Sequence, residues 1–137
     1  MKEIHDFLTQ EECDGLIELI NKNHVPSTVV SQGDEFSVQD KSRTSSTSNL
    51  DHSNTLVKSI HEKISKYLGL DISNGENLQG QLYEPGQYFK PHHDFFTGVA
   101  YDKHCLEKGN RTHTLMIYLN DGFEGGGTNF PRMNTIL

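Results

Sequence analysis

Within "YEPGQYFKPHHDFF", Tyr83 to Phe96, His92 and Asp94 stand two residues apart with a second histidine, His93, between them. Imidazole nitrogen and carboxylate oxygen are both donors for divalent metals. In an extended segment residues i and i+2 share a face. The spacing therefore sets His92 and Asp94 side by side and turns His93 away. One nitrogen and one oxygen on a common face make two of the three protein donors in the facial triad of non-haem Fe(II) oxygenases. That triad leaves metal positions open for a chelating cosubstrate and O₂. The aromatic neighbours Tyr88, Phe89, Phe95 and Phe96 would keep such a centre dry. An isolated His-x-Asp pair equally describes the polar face of a plain surface strand, and a chain with eight histidines produces such pairs by chance.

The surrounding elements decide how such a pair is placed. "DFLTQEECDGLIELINKN" predicts a helix, with Thr9 as N-cap and Glu12 completing a capping box. Cys13, Leu16, Ile17 and Ile20 fall on one helical face, and Leu8 is set to staple back onto the first turn. "DHSNTLVKSIHEKISKYLGL" predicts a second helix, capped by Ser53 or Asn54 and ended by Gly69. Its buried stripe is Leu56, Ile60, Ile64 and Tyr67 or Leu68, with His61 on a solvated face. Between the helices the chain is β-prone at "VPSTVV" and then turns to Ser and Thr in "SRTSSTSN", which has the composition of a solvated connection. After the second helix the period becomes strand-like. "NLQGQLYEP", "QYFKPHHDFF" and "RTHTLMIYLND" predict three strands. "TGVAYDKHCLEKGN" is expected to be a loop carrying His104 and Cys105, and "GFEGGGTNFP" a glycine-rich connection into a further strand. Short strands with Gly-rich turns favour a sandwich or barrel.

Composition narrows the functional classes. A chain of 137 residues suits one domain. The net charge of −7 and the lack of a basic run argue against nucleic acid as a partner. No apolar run approaches the roughly 20 residues of a membrane span, and the polar start "MKEIHDFLTQEE" predicts no secretory leader. Cys13 and Cys105 show neither a paired zinc spacing nor a disulfide framework, so a reducing, cytoplasmic setting is expected.

Taken together, "YEPGQYFKPHHDFF" and "NRTHTLMIYLNDGFEGGGTNFP" resemble the prolyl 4-hydroxylase-like Fe(II)/2-oxoglutarate dioxygenases. The matching residues include Tyr83, Gly86-Gln87, Pro91-His92, Asp94, Phe96, Arg111, Thr114, Leu115, Tyr118 to Asp121, Gly125-Gly126 and Phe130-Pro131. "SRTSS", from Ser42 to Ser46, is similar to that family's Arg-Thr-Ser segment near the substrate channel, and "FLTQEECDGLIEL" fits its opening helix. The resemblance implies an α+β fold, a double-stranded β-helix (jelly roll) with supporting N-terminal helices. It implies His92 and Asp94 as iron ligands. It places Tyr83, Thr114 and Tyr118 around 2-oxoglutarate, and Arg43 and Phe89 toward the substrate. The implied reaction uses Fe(II), O₂ and 2-oxoglutarate, with ascorbate as reductant. It hydroxylates a peptide or protein substrate, prolyl residues included, and yields succinate and CO₂. Strand parity agrees for the cosubstrate positions: Thr114, Met116 and Tyr118 share one face, and His113, Leu115 and Ile117 the other.

Two departures shape the expectations. The family carries a second histidine, then a Lys or Arg, downstream of the Phe-Pro step, and the six residues after Pro131 hold no histidine. Residues 1–137 are therefore expected to be a single dioxygenase domain lacking its last strands, with its own turnover in doubt. Phe89 stands where relatives often carry a tyrosine, which loosens the assignment to peptidyl proline. By parity His93 and His113 face away, and His5, His24 and His52 have no motif support. Two other readings stay open: a non-catalytic peptide-binding module on the same fold, and a metalloprotein whose site a partner subunit completes.

Overall fold

The computed structural model describes residues 1–30, 39–71, 75–107 and 109–137. Residues 31–38, between the β-prone stretch and the Ser/Thr run, lie outside them.

Helix α1 (Gln10–Lys22) begins where the sequence predicts. The Thr9 hydroxyl accepts from the Glu12 amide at 3.2 Å, and the Glu12 carboxylate accepts from the Thr9 amide at 2.8 Å. Two amides without intrahelical partners are thereby satisfied. The same carboxylate takes the Lys63 ammonium at 2.7 Å, tying α1 to the second helix. Glu12 is held below its ordinary value of 4.5, first by the Lys63 hydrogen bond and then by the Thr9 amide. A carboxyl whose folded pKa is depressed stabilises above the unfolded value and loses that contribution as pH falls through the folded one. Thr9→Ala is expected to cost about 1 kcal/mol at neutral pH, read as a lower urea midpoint. Glu12→Gln is expected to flatten the loss of stability below pH 4.5; an unchanged acid limb would contradict that role.

Helix α2 (Thr55–Leu68) is capped by Asn54, whose side chain accepts from Leu56 and Val57 amides at 2.9 and 3.3 Å. Gly69 ends it in the left-handed conformation, φ 64°. Val57, Ile60 and Ile64 are buried, so Val57 joins the expected stripe, while Tyr67 is exposed. His61 is half-buried rather than solvated, edge-on to His52 with ring centroids 5.3 Å apart.

Three short antiparallel strands pair in the order β1 (Val25–Pro26), β2 (Ser46–Asn49), β3 (Gln79–Leu82). In register, Val25 faces Thr47 and Ser48 faces Gly80. The Ser/Thr run is therefore the central strand of a sheet, not a solvated connection. Ser45, Thr47 and Ser48 are buried. Burial of hydroxyls is tolerated because they bond one another: Ser27 Oγ lies 2.9 Å from Ser45 Oγ and 2.5 Å from Thr47 Oγ1.

The core joins Leu16 and Ile20 of α1, Val57, Ile60 and Ile64 of α2, and Leu50. Leu115, Ile117 and Leu119 pack against it, while Thr114, Met116 and Tyr118 are exposed. The predicted alternation is thus present in 114–119, yet this segment has no ladder partner among the described residues. The predicted strand over 87–96 is also replaced. Only an isolated bridge, Arg43 to Phe89, remains before the chain bends. The expected loop that follows holds helix α3 (Gly98–His104), which buries Ala100 and, just after it, Cys105. The glycine-rich connection leads into a hairpin of β4 (Asn129–Phe130) and β5 (Thr135–Ile136) around a 3-10 turn. The fold is thus a mixture of three helices and small antiparallel sheets. No helix among the described residues is long and apolar enough to cross a membrane.

Candidate metal centre

A turn at Glu84–Gln87, with Gly86 at φ 84°, reverses the chain after β3. Residues 88–90 then run beside 42–44. Tyr88 N donates to Thr44 Oγ1 at 2.9 Å, Thr44 N to Tyr88 O at 3.0 Å, and Lys90 N to Ser42 O at 2.8 Å. Pro91 has no amide to extend the pairing, and the chain bends into His92.

The bend produces the contact that strand parity predicted, by a different route. His92 Nε2 lies 3.2 Å from Asp94 Oδ1. His92 Nδ1 lies 2.8 Å from Lys90 O. A carbonyl only accepts, so Nδ1 carries a proton and the free nitrogen is Nε2. A histidine with one nitrogen spent on a backbone carbonyl has the arrangement found in metal-binding imidazoles. Nε2 and Oδ1 then face each other as two acceptors, which a cation or a further proton must reconcile. Asp94 Oδ2 accepts from Thr114 Oγ1 at 2.5 Å, fixing the carboxylate plane. His93 turns away and stacks on Phe95, centroids 4.9 Å apart.

The Phe89 ring stacks on His92 at 3.7 Å and 18°. The Arg43 guanidinium carbon sits 4.9 Å from the centroid of the same ring. Arg43 donates to Ser45 Oγ at 3.2 Å, Thr28 O at 3.3 Å and Thr47 Oγ1 at 3.2 Å. No carboxylate pairs with it among the described residues. Burial pushes its pKa down, and the Tyr83 hydroxyl pulls the other way. Tyr83 in turn donates to Gln81 Oε1 at 3.2 Å. A groove of about 310 Å³ opens beside Arg43, lined also by Ser27, Asp40, Lys41 and Ser45. Tyr118 is held apart from the pair, its hydroxyl 2.7 Å from Thr128 Oγ1.

The structure thus joins His92, Asp94 and Thr114 directly, and Phe89, Arg43 and Tyr83 through successive contacts. Tyr118 shares only the face of Thr114. No set of three His, Cys, Asp or Glu side chains converges on one point among the described residues. His104 belongs to α3 and stacks on Phe96 at 5.0 Å. Reading the sequence missed Ser27, Thr28 and Thr47 around Arg43, and Glu76 and Asn110 near Asp94. Apart from Thr47, four residues from Arg43, these partners are distant in sequence, and none carries a local pattern.

The donor set is chemically suited to Fe(II): one imidazole nitrogen and one carboxylate oxygen, already adjacent and half-exposed. No family model matches the chain. Probable prolyl 4-hydroxylase 8 of Arabidopsis thaliana is 40% identical over 129 residues, which is 93% of this chain and 43% of that protein. Prolyl 4-hydroxylase 1 of the same plant is 38% identical over 132 residues, 93% of this chain and 45% of its own length. Probable prolyl 4-hydroxylase 3 is likewise 38% identical, over 95% of this chain. The chain spans less than half the length of these curated relatives. Over 93 to 95% of its residues the chain is similar to prolyl 4-hydroxylases, which supports a prolyl 4-hydroxylase-like family.

Proposed function

We propose that the chain forms a single domain, on a double-stranded β-helix plan, of an Fe(II)/2-oxoglutarate-dependent dioxygenase that hydroxylates a peptide or protein, prolyl residues included. The observation that carries this reading is the adjacency of His92 Nε2 and Asp94 Oδ1 at 3.2 Å, with Nδ1 spent on Lys90 O. Bound there, Fe(II) supplies the O₂ chemistry that couples conversion of 2-oxoglutarate to succinate and CO₂ with substrate hydroxylation, ascorbate keeping the metal reduced.

The chain's own residues would do the rest. His92 and Asp94 hold the metal, and Thr114 keeps the carboxylate in one orientation. Tyr83, Thr114 and Tyr118 border 2-oxoglutarate with hydroxyls. Phe89 covers one face of His92 and limits water there. Arg43 presents a guanidinium bonded to neutral acceptors beside an open groove, which suits the carbonyl-rich backbone of an extended peptide. One observation favours the second reading, a peptide-binding module without turnover: the described residues bring together two metal donors, not three.

The test is succinate formation from 2-oxoglutarate with Fe(II), ascorbate and a proline-containing peptide. Peptide-dependent succinate that disappears in His92→Ala and Asp94→Ala supports the dioxygenase. Peptide binding with no succinate in the unsubstituted protein selects the binding module.

A further inference from the structure

We infer that Arg111, oriented by Glu76, is the positioning residue for Asp94, an inference that rests on Asp94 being a metal ligand. The segment from Pro91 to Thr97 has no strand partner among the described residues, so little in its own backbone fixes where Asp94 stands. Two adjacent side chains replace the missing ladder. Asn110 accepts from Phe96 N and donates to Phe96 O, both at 2.9 Å. Arg111 Nη1 donates to the Asp94 carbonyl at 3.0 Å. The guanidinium carbon also lies 4.4 Å from the Phe96 ring centroid. Three residues further on, Thr114 bonds the Asp94 carboxylate. One short segment therefore grips Asp94 at both its backbone and its side chain.

Glu76 gives this grip a direction. Its carboxylate takes Arg111 Nε and Nη2 as a fork, the latter at 2.7 Å. A guanidinium is planar, with its five N–H donors fixed relative to one another. Once Glu76 holds one edge, the direction of Nη1 is set, and it points at the Asp94 carbonyl. A lysine ammonium has the charge without the plane, so it cannot satisfy Glu76 as a fork and Asp94 O together.

The proposal has a sign that simple electrostatics reverses. A positive side chain near a cation site repels the metal, so removing it should tighten binding. Loss of a positioning contact should weaken binding, by about 10- to 100-fold on the scale of outer-shell residues in metal sites. The measurement is Mn(II) affinity by titration, with the unfolding midpoint recorded for each protein. Arg111→Lys and Arg111→Gln are both expected to bind Mn(II) about 10- to 100-fold more weakly. Glu76→Gln is expected to show a smaller loss in the same direction, and exposed Arg132→Lys none. Arg111→Lys, which keeps charge and stem, decides the matter if Arg111→Gln fails to fold. Unweakened affinity in Arg111→Lys, or tighter binding in a folded Arg111→Gln, overturns the inference. His92→Ala separates the two levels: if it leaves Mn(II) binding intact, the metal-centre reading itself fails.

Discussion

His92→Ala and Asp94→Ala are each expected to lower Mn(II) affinity by at least about 100-fold, beyond the range for loss of a supporting residue, while His93→Ala leaves it unchanged. The contrast follows from geometry rather than residue type. His92 and His93 are neighbours with the same imidazole. His92 directs Nε2 at Asp94 Oδ1 and spends Nδ1 on Lys90 O, whereas His93 lays its ring on Phe95. Removing His92 or Asp94 leaves one protein donor, and a single donor does not hold a divalent ion against water. Calorimetric titration measures the effect. Equal losses from His92→Ala and His93→Ala would mean that the metal sits elsewhere or that the bend rearranges on binding.

Gly80→Val is expected to unfold the protein or leave it strongly destabilised, and Gly80→Ala to cost at least the 1–3 kcal/mol typical of overpacking. Gly80 is buried in β3 opposite Ser48, where α1 crosses the sheet. A Cβ built there would overlap Ile20 Cγ1 and Cδ1. Ile20 cannot retreat freely, since it is 5% exposed and packed within the core cluster. Gly69 makes a useful contrast. It is left-handed with open space around it, so Gly69→Ala costs conformational strain alone, about 1 kcal/mol. Denaturant midpoints of the two alanine variants should therefore differ clearly. Pairing Gly80→Ala with Ile20→Val should recover part of the loss, because the two side chains share one space. A neutral Gly80→Ala would show that α1 can lift off β3 at little cost.

The sequence by itself determined what depends on neighbours along the chain. Thr9 with Glu12, and Asn54 with Gly69, start and stop helices through contacts within a few residues, so α1 and α2 were legible with their caps. Leu115, Ile117 and Leu119 alternate with Thr114, Met116 and Tyr118, and period-2 alternation survives in burial even where no ladder forms. His92 and Asp94 were legible as a donor pair because their spacing is short enough for either an extended strand or a bend to bring them together.

Tertiary structure decided the rest, for one physical reason: the deciding partners are remote. Ser45, Thr47 and Ser48 have the composition of a solvated loop, and only the remote Ser27 and the flanking strands make their burial affordable. Residues 98–104 lack a side-chain cap, and their helix is held by burial of Ala100 and Cys105, which no local pattern announces. The place of Asp94 depends on Arg111, 17 residues after it, and on Glu76, 35 residues before Arg111. Such contacts cost chain entropy that only the assembled core can offset, so they exist in the fold and not in the spacing of residues.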